Sequence, residues 1–278
     1  MGWGLMSTSD GSQALVIEAD RLDSLIKALR KSGYKTIGPK ARDGAVVLEE
    51  ISGADELPIG LVDDQQPGAY RLSKAKKPAY FDFTHGSQTW KRYLFLPKEK
   101  LWTAQKTDNG FVVEAEVDAP KYAFIGVRAC ELAAIQIQDK VFVDGEHTAT
   151  GYKARRDKAL IVALNCRRAG GTCFCTSMNT GPKVKDGYDL ALTELTKKDS
   201  HVFLVEAGSD QGEKILARLD GRLQLLLGEI DALACRRTLF GSQFAQPLQQ
   251  IRETAFLTQV LDTQVIERPL IGGLFDGL

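Results

Sequence analysis

The chain has 278 residues, enough for one large domain or two modest ones, and its 44% hydrophobic and 26% charged content is that of a globular protein. Lys plus Arg and Asp plus Glu each total 36, so no net field favours a nucleic acid or an anionic membrane surface. No apolar run approaches the roughly 20 residues of a membrane-spanning helix, and the opening MGWGLMSTSD has neither a basic n-region nor an apolar h-region, so no export signal is expected; Met6 is an alternative start.

In chain order, ALVIEADRLDSLIKALRKSGYKTIGPKARDGAVVLEEI reads as strand, helix, then paired strands. Leu22, Leu25, Ile26 and Leu29 fall on one helical face, Asp20 is placed to cap that helix, and Gly33 to end it. LPIGLVDD and YFDFTHGSQTWKRYLFLP continue in an extended or mixed style, so residues 1–115 are expected to form an α+β region.

The pattern then changes. KYAFIGV, KALIVALN and HVFLVEAGSD are short apolar runs, the first followed by the helical RACELAAIQIQDKVF and the third by QGEKILARL. Apolar strands alternating with helices predict an α/β region over 116–220 with a largely parallel, buried sheet. From 221 to 278 the chain reads helical, and all three regions are compatible with one compact domain.

Five cysteines occur, and three of them, Cys166, Cys173 and Cys175, lie within ten positions. Without an export signal such a cluster points to a reducing, cytoplasmic setting, where it more often means metal than disulfides. Cys130 and Cys166 both fall just past predicted strands, at the carboxyl edge where loops of a parallel sheet converge on ligands. If those strands are neighbours, the two thiols face each other. Cys173 and Cys175 sit in GGTCFCTSMNTGP, a loop punctuated by Gly170, Gly171, Asn179, Gly181 and Pro182. Such a loop can aim two thiolates at one centre while its N–H groups, and the hydroxyls of Thr172, Thr176 and Ser177, donate to sulfur. Four thiolates are what a [4Fe–4S] cubane takes, and Arg128, Arg167 and Arg168 flank the ligands and can offset its charge of about two negative units. Structural zinc also takes four cysteines, although C-x6-C-x-C departs from paired knuckles, and inert buried thiols remain open. Cys235, in LACRRTLF, reads as a packed core thiol.

Several of these strings are familiar together. YAFIGVRACELAAI, ALIVALNC, GGTCFCTSMNTGP, GYDLALTEL and FLVEAGS, in that order, resemble the iron–sulfur electron-transfer subunits of cytoplasmic enzyme complexes. These are the beta subunit of sulfhydrogenase-type NiFe hydrogenases and the corresponding iron–sulfur component of anaerobic sulfite reductase. The upstream YFDFTHGSQTWKRYLFLP is similar too, so the likeness covers most of 75–210. It implies that Cys130, Cys166, Cys173 and Cys175 ligate a [4Fe–4S] cluster. It further implies an electron carrier that links a catalytic subunit, either a NiFe hydrogenase or a sirohaem sulfite reductase, to a diaphorase-type FAD/NAD(P)H subunit. Members of the family continue into a segment with two C-x2-C-x2-C-x3-C runs for two further clusters, and no such run occurs in this sequence. The expectation is either a shortened product or a version that relies on a partner's clusters. The alternative reading is a zinc-stabilised structural or binding module without redox activity.

The remaining features have plainer readings. TWKRYLF is expected to be a partly buried amphipathic strand rather than a base-stacking surface, and Arg155 and Arg156 a solvated helix end. No glycine-rich fingerprint for flavin, NAD or ATP is present. His85 is expected to be a core histidine, and none of His85, His147 and His201 is evidently placed to serve as the basic partner of a nucleophilic cysteine. Asp189 is placed either to brace the cysteine loop or to cap a helix.

Overall fold

The structure, a computed structural model, describes residues 6–7, 13–84, 86, 88–114, 117–196 and 200–219. The helical reading of 221–278, together with Cys235 and His85, lies outside the described residues. The elements are β1 (Met6–Ser7), β2 (Gln13–Glu18), α1 (Leu22–Lys31), β3 (Lys35–Arg42), β4 (Ala45–Glu50), β5 (Leu61–Gln66), β6 (Ala69–Lys74) and α2 (Lys91–Leu94). There follow β7 (Thr103–Thr107), β8 (Gly110–Glu114), β9 (Tyr122–Arg128), α3 (Ala129–Phe142), α4 (Thr150–Lys158), β10 (Leu160–Leu164), β11 (Leu190–Thr196), β12 (His201–Ala207) and α5 (Asp210–Leu216).

Eight strands share one sheet in the order β1-β2-β12-β11-β10-β9-β3-β4, while β5-β6 and β7-β8 form separate hairpins. The fold is α/β, with strands from both sides of residue 115 in the same sheet. Its centre, β3-β9-β10-β11, is parallel as expected, and its flanks are antiparallel. The antiparallel turn arises because GYDLALTEL is itself a strand, β11, joined to β12 through only residues 197–200. A parallel return needs a crossover of a dozen or more residues, and a link this short forces a hairpin.

Two apolar layers cover the sheet, as its buried strands require. On one face α1 presents Leu22, Leu25, Ile26 and Leu29, all buried, beside Ile215 and Leu216 of α5 and the rings of Phe81 and Phe83. The other face packs Trp90, Leu94, Leu132, Ile135 and Tyr152 against Phe124, Val127 and Ile161. Asp20 does not cap α1, because Ala19–Arg21 winds into a 3-10 turn first. Gly33 does end it, at φ +86°. TWKRYLF is the short helix α2 rather than a strand; Trp90 and Leu94 are buried and the Tyr93 hydroxyl donates to the Leu48 carbonyl at 2.8 Å.

Arg155 departs from its expected place in solvent. It is 1% exposed, and its guanidinium donates to the Leu94 carbonyl and to Glu99, which holds the Glu99 carboxyl below its ordinary range. Arg156 reaches Asp139 at 2.9 Å. Asp189 accepts from the Ile161 N–H and from Ser209, the residue that caps α5, so it ties strand to helix and does not brace the cysteine loop.

Candidate metal centre

Strands β9 and β10 are parallel neighbours whose register pairs Arg128 with Leu164 at their carboxyl ends. Cys130 and Cys166 each follow two residues later. They therefore leave the same edge side by side, as the sequence reading required. Cys130 lies in the first turn of α3, where the Glu131 carboxylate accepts from the Arg128 N–H at 2.9 Å and fixes the strand-to-helix junction.

Beyond Cys166 the chain makes a loop that closes on its own base. The Cys166 N–H donates to the Pro182 carbonyl, and buried Asn165 accepts from the Val184 N–H while donating to Thr193. The closure returns Cys175 to the start of α3. A Cβ placed on Gly181 lies 3.1 Å from the Cys175 Sγ and 3.2 Å from the Ala129 Cβ, so only a glycine leaves both neighbours undisturbed. Gly170 and Gly171 are pressed in the same way against Thr84 and the Gln65 carbonyl. Thr172 donates to Gln65, which in turn donates to the Thr84 hydroxyl at 2.6 Å.

The four thiols are half-buried and none is in a disulfide. Burial pushes the Cys130 thiol up to about 12, with the charges of Cys166, Glu131, Cys175 and Cys173 adding to the rise. Cys175 is raised by burial and then by Cys166 and Cys173. Cys173 is also raised by burial, although the Gly170 N–H, 3.2 Å from its Sγ, pulls the other way. These mutual effects place all four sulfurs within reach of one another's charge. With Cys130, Cys173 and Cys175 all raised, a bound metal would have to displace protons from these three thiols. A backbone N–H, that of Gly170, donates to sulfur, as expected of the loop, while the Thr172 hydroxyl is spent on Gln65.

The three arginines divide. Arg128 is 3% exposed; its guanidinium donates to the carbonyls of Phe81 and Phe83, stacks over the Phe83 ring at 5.6 Å and lies within reach of the charge of Cys166. Burial opposes its charge, but the adjacent Cys166, Glu131 and Cys130 together outweigh burial and raise it. A bulge aims this side chain. Gly126, at φ +89°, is skipped in the β9-β10 register, so the alternation resets and Arg128 turns toward the face holding Phe81 and Phe83. Arg167 and Arg168, in contrast, are answered by carboxylates. Arg167 lies 3.7 Å from buried Glu194 and donates to Thr196, and Arg168 pairs with buried Asp63. Yet the Arg167 Nη1 and the Arg168 Nε are buried donors without a hydrogen-bond acceptor.

Two supporting groups were not legible from the sequence. Asp63 accepts from the Thr84 N–H and hydroxyl at 2.7 and 2.6 Å; burial raises its carboxyl, and Thr84 and Arg168 together more than reverse this. Glu194 accepts from the N–H groups of Tyr80 and Phe81 and contacts the His201 ring at 2.6 Å. His201 thus has a carboxylate partner, and His147 is exposed.

Among the described residues, no three His, Cys, Asp or Glu side chains stand close enough to hold a single metal ion. The donor set nevertheless suits an anionic sulfur-rich group: four thiols on one edge, a buried guanidinium among them, and orphaned arginine donors adjoining Cys166. Among those residues no helix is long and apolar enough to cross a membrane. No family profile matches the chain, and no solved structure matches it. The chain is similar to sulfhydrogenase 2 subunit beta of Pyrococcus furiosus, 26% identical over 182 residues, which is 66% of this chain and 45% of that relative, so it spans somewhat under half the length of the curated protein it matches.

Proposed function

We propose that the chain is an electron-transfer subunit of a multi-subunit oxidoreductase and that Cys130, Cys166, Cys173 and Cys175 hold a [4Fe–4S] cluster. The observation that carries the reading is the β9-β10 register, which delivers Cys130 and Cys166 to one edge beside the loop of Cys173 and Cys175. The likeness to a sulfhydrogenase beta subunit supports the same class of role. When bound, such a cluster accepts and releases one electron at a time.

The chain's own residues supply the rest. The four thiolates ligate, Arg128 offsets negative charge from within the buried edge, and the Gly170 N–H donates to sulfur. Asp63 and Glu194 hold Arg168 and Arg167, and through them the base of the loop. The electron donor proposed is a diaphorase-type FAD/NAD(P)H subunit. The acceptor proposed is a NiFe hydrogenase or a sirohaem sulfite reductase, with the whole assembly in the cytoplasm.

Metal and sulfide analysis of anaerobically purified chain tests this. The expected result is brown protein with about four iron and four sulfide per chain. Colourless protein with one zinc and no sulfide overturns it in favour of a zinc-stabilised module.

A further inference from the structure

Phe174 stands between the two loop cysteines, and its ring is 69% exposed although both flanking thiols are half-buried. Met178, one turn on and 62% exposed, is tied to it by a hydrogen bond from its N–H to the Phe174 carbonyl at 3.3 Å. Scattered exposed apolar residues need no explanation, but here two large ones share one turn at the proposed ligand loop. Within the loop the charge has one sign, and the first carboxylate beyond it, exposed Asp186, accepts from Gln136 at 2.6 Å. Residues 164–185 contain Arg167, Arg168, Lys183 and Lys185 and no acidic residue. Arg167 and Arg168 turn inward to Glu194 and Asp63, whereas Lys183 and Lys185 are exposed. The Lys185 Nζ lies 2.8 Å from the Asn179 Oδ1, on the residue that follows Met178, so a cation borders the apolar turn.

An apolar centre with a mainly basic polar rim is how protein partners with acidic faces are steered and seated. We propose that the Phe174–Met178 turn is the docking point of the chain's redox partner, a protein whose own face has an apolar centre rimmed by carboxylates. The proposal rests on the electron-carrier reading and adds to it the chemistry of the partner and the place where it binds. Lys183 and Lys185 steer the encounter, and Phe174 and Met178 are the surfaces buried in it. In the encounter one electron leaves the partner, which is oxidised, and the carrier is reduced; no covalent bond forms or breaks.

The test uses the full chain, purified anaerobically, with iron content measured first. Its reduction is followed by stopped flow with a reduced acidic plant-type ferredoxin as the probe, and with reduced methyl viologen as a small reductant that needs no docking face. For the unaltered chain, the ferredoxin rate is expected to fall as salt rises. Lys183→Glu combined with Lys185→Glu is expected to slow it about tenfold at low ionic strength and to remove the salt dependence. Phe174→Ser is expected to slow it at every ionic strength. Both variants are expected to react with methyl viologen no more slowly than the unaltered chain.

Iron-loaded variants that take electrons from ferredoxin at the unaltered rate overturn the docking proposal alone. So does sedimentation showing a dimer that Phe174→Ser dissociates, which assigns the turn to a second copy. A chain without iron overturns the electron-carrier reading, and the docking proposal with it.

Discussion

Replacing Arg128 with methionine separates what its charge does for the fold from what it does for the thiolates. In the metal-free chain two effects compete. The buried carbonyls of Phe81 and Phe83 lose a donor, at about 1–3 kcal/mol each, but a buried cation is replaced by an apolar side chain of similar length, which offsets much of that cost. The net change in stability is therefore expected to stay within about 2 kcal/mol. With a cluster in place the balance differs. The guanidinium is within reach of the charges of Cys166 and Cys130, and at a separation of about 6 Å each unit charge is worth about 3 kcal/mol at an effective dielectric near 20. Reduction adds one negative charge that the guanidinium would have stabilised. Its loss makes reduction harder, lowering the potential by roughly 100 mV at about 2.3 kcal/mol per 100 mV. Redox titration followed by electron paramagnetic resonance measures this, with Arg128→Lys expected to recover most of the shift. An Arg128→Met chain with full iron and an unchanged potential would refute the assignment of Arg128 as the charge that faces the thiolates.

Three other outcomes are expected. Serine at Cys130, Cys166, Cys173 or Cys175 is expected to abolish or halve the bound iron while Cys235→Ser keeps it, as iron analysis reads directly; iron lost only from the Cys235 variant contradicts the ligand set. Glu194→Ala strands the N–H groups of Tyr80 and Phe81 and leaves Arg167 without its carboxylate, so urea denaturation is expected to show a loss of about 3–5 kcal/mol. Asp63 is held below the ordinary carboxylate range, so its stabilising contribution is complete above the unfolded value near 4 and falls away as pH drops through its lower folded value. Asp63→Asn is accordingly expected to flatten the denaturation midpoint between about pH 5 and pH 2, and an unaltered acid limb contradicts that account.

What could be read in advance follows from sequence distance. Cys130 and Cys166 each stand two residues beyond an apolar run, so their meeting needed only that β9 and β10 be neighbours, which the sheet supplies. The run YAFIGV hid its most consequential residue. An isolated glycine in a strand is a bulge signal, and Gly126 uses its positive φ to turn Arg128 to the other face. GYDLALTEL was legible as a motif but not as a strand, and with it went the antiparallel flank of the sheet. The braces of the loop, Gln65, Thr84 and Asp63, sit about a hundred positions upstream, in or beside segments legible only as extended or mixed, and no local pattern links them to Gly170 or Arg168. Arg155 shows the same limit. A basic helix end reads as solvated unless the distant Glu99 that pairs with it is known.

The most direct measurement is a crystal structure of the chain purified and crystallised without oxygen, judged by the iron–sulfur bonds alone. The account requires a single inorganic core bonded to the sulfur of all four residues, Cys130 included. A core bonded to the three loop thiols with the Cys130 sulfur turned away, or a lone zinc in its place, contradicts it.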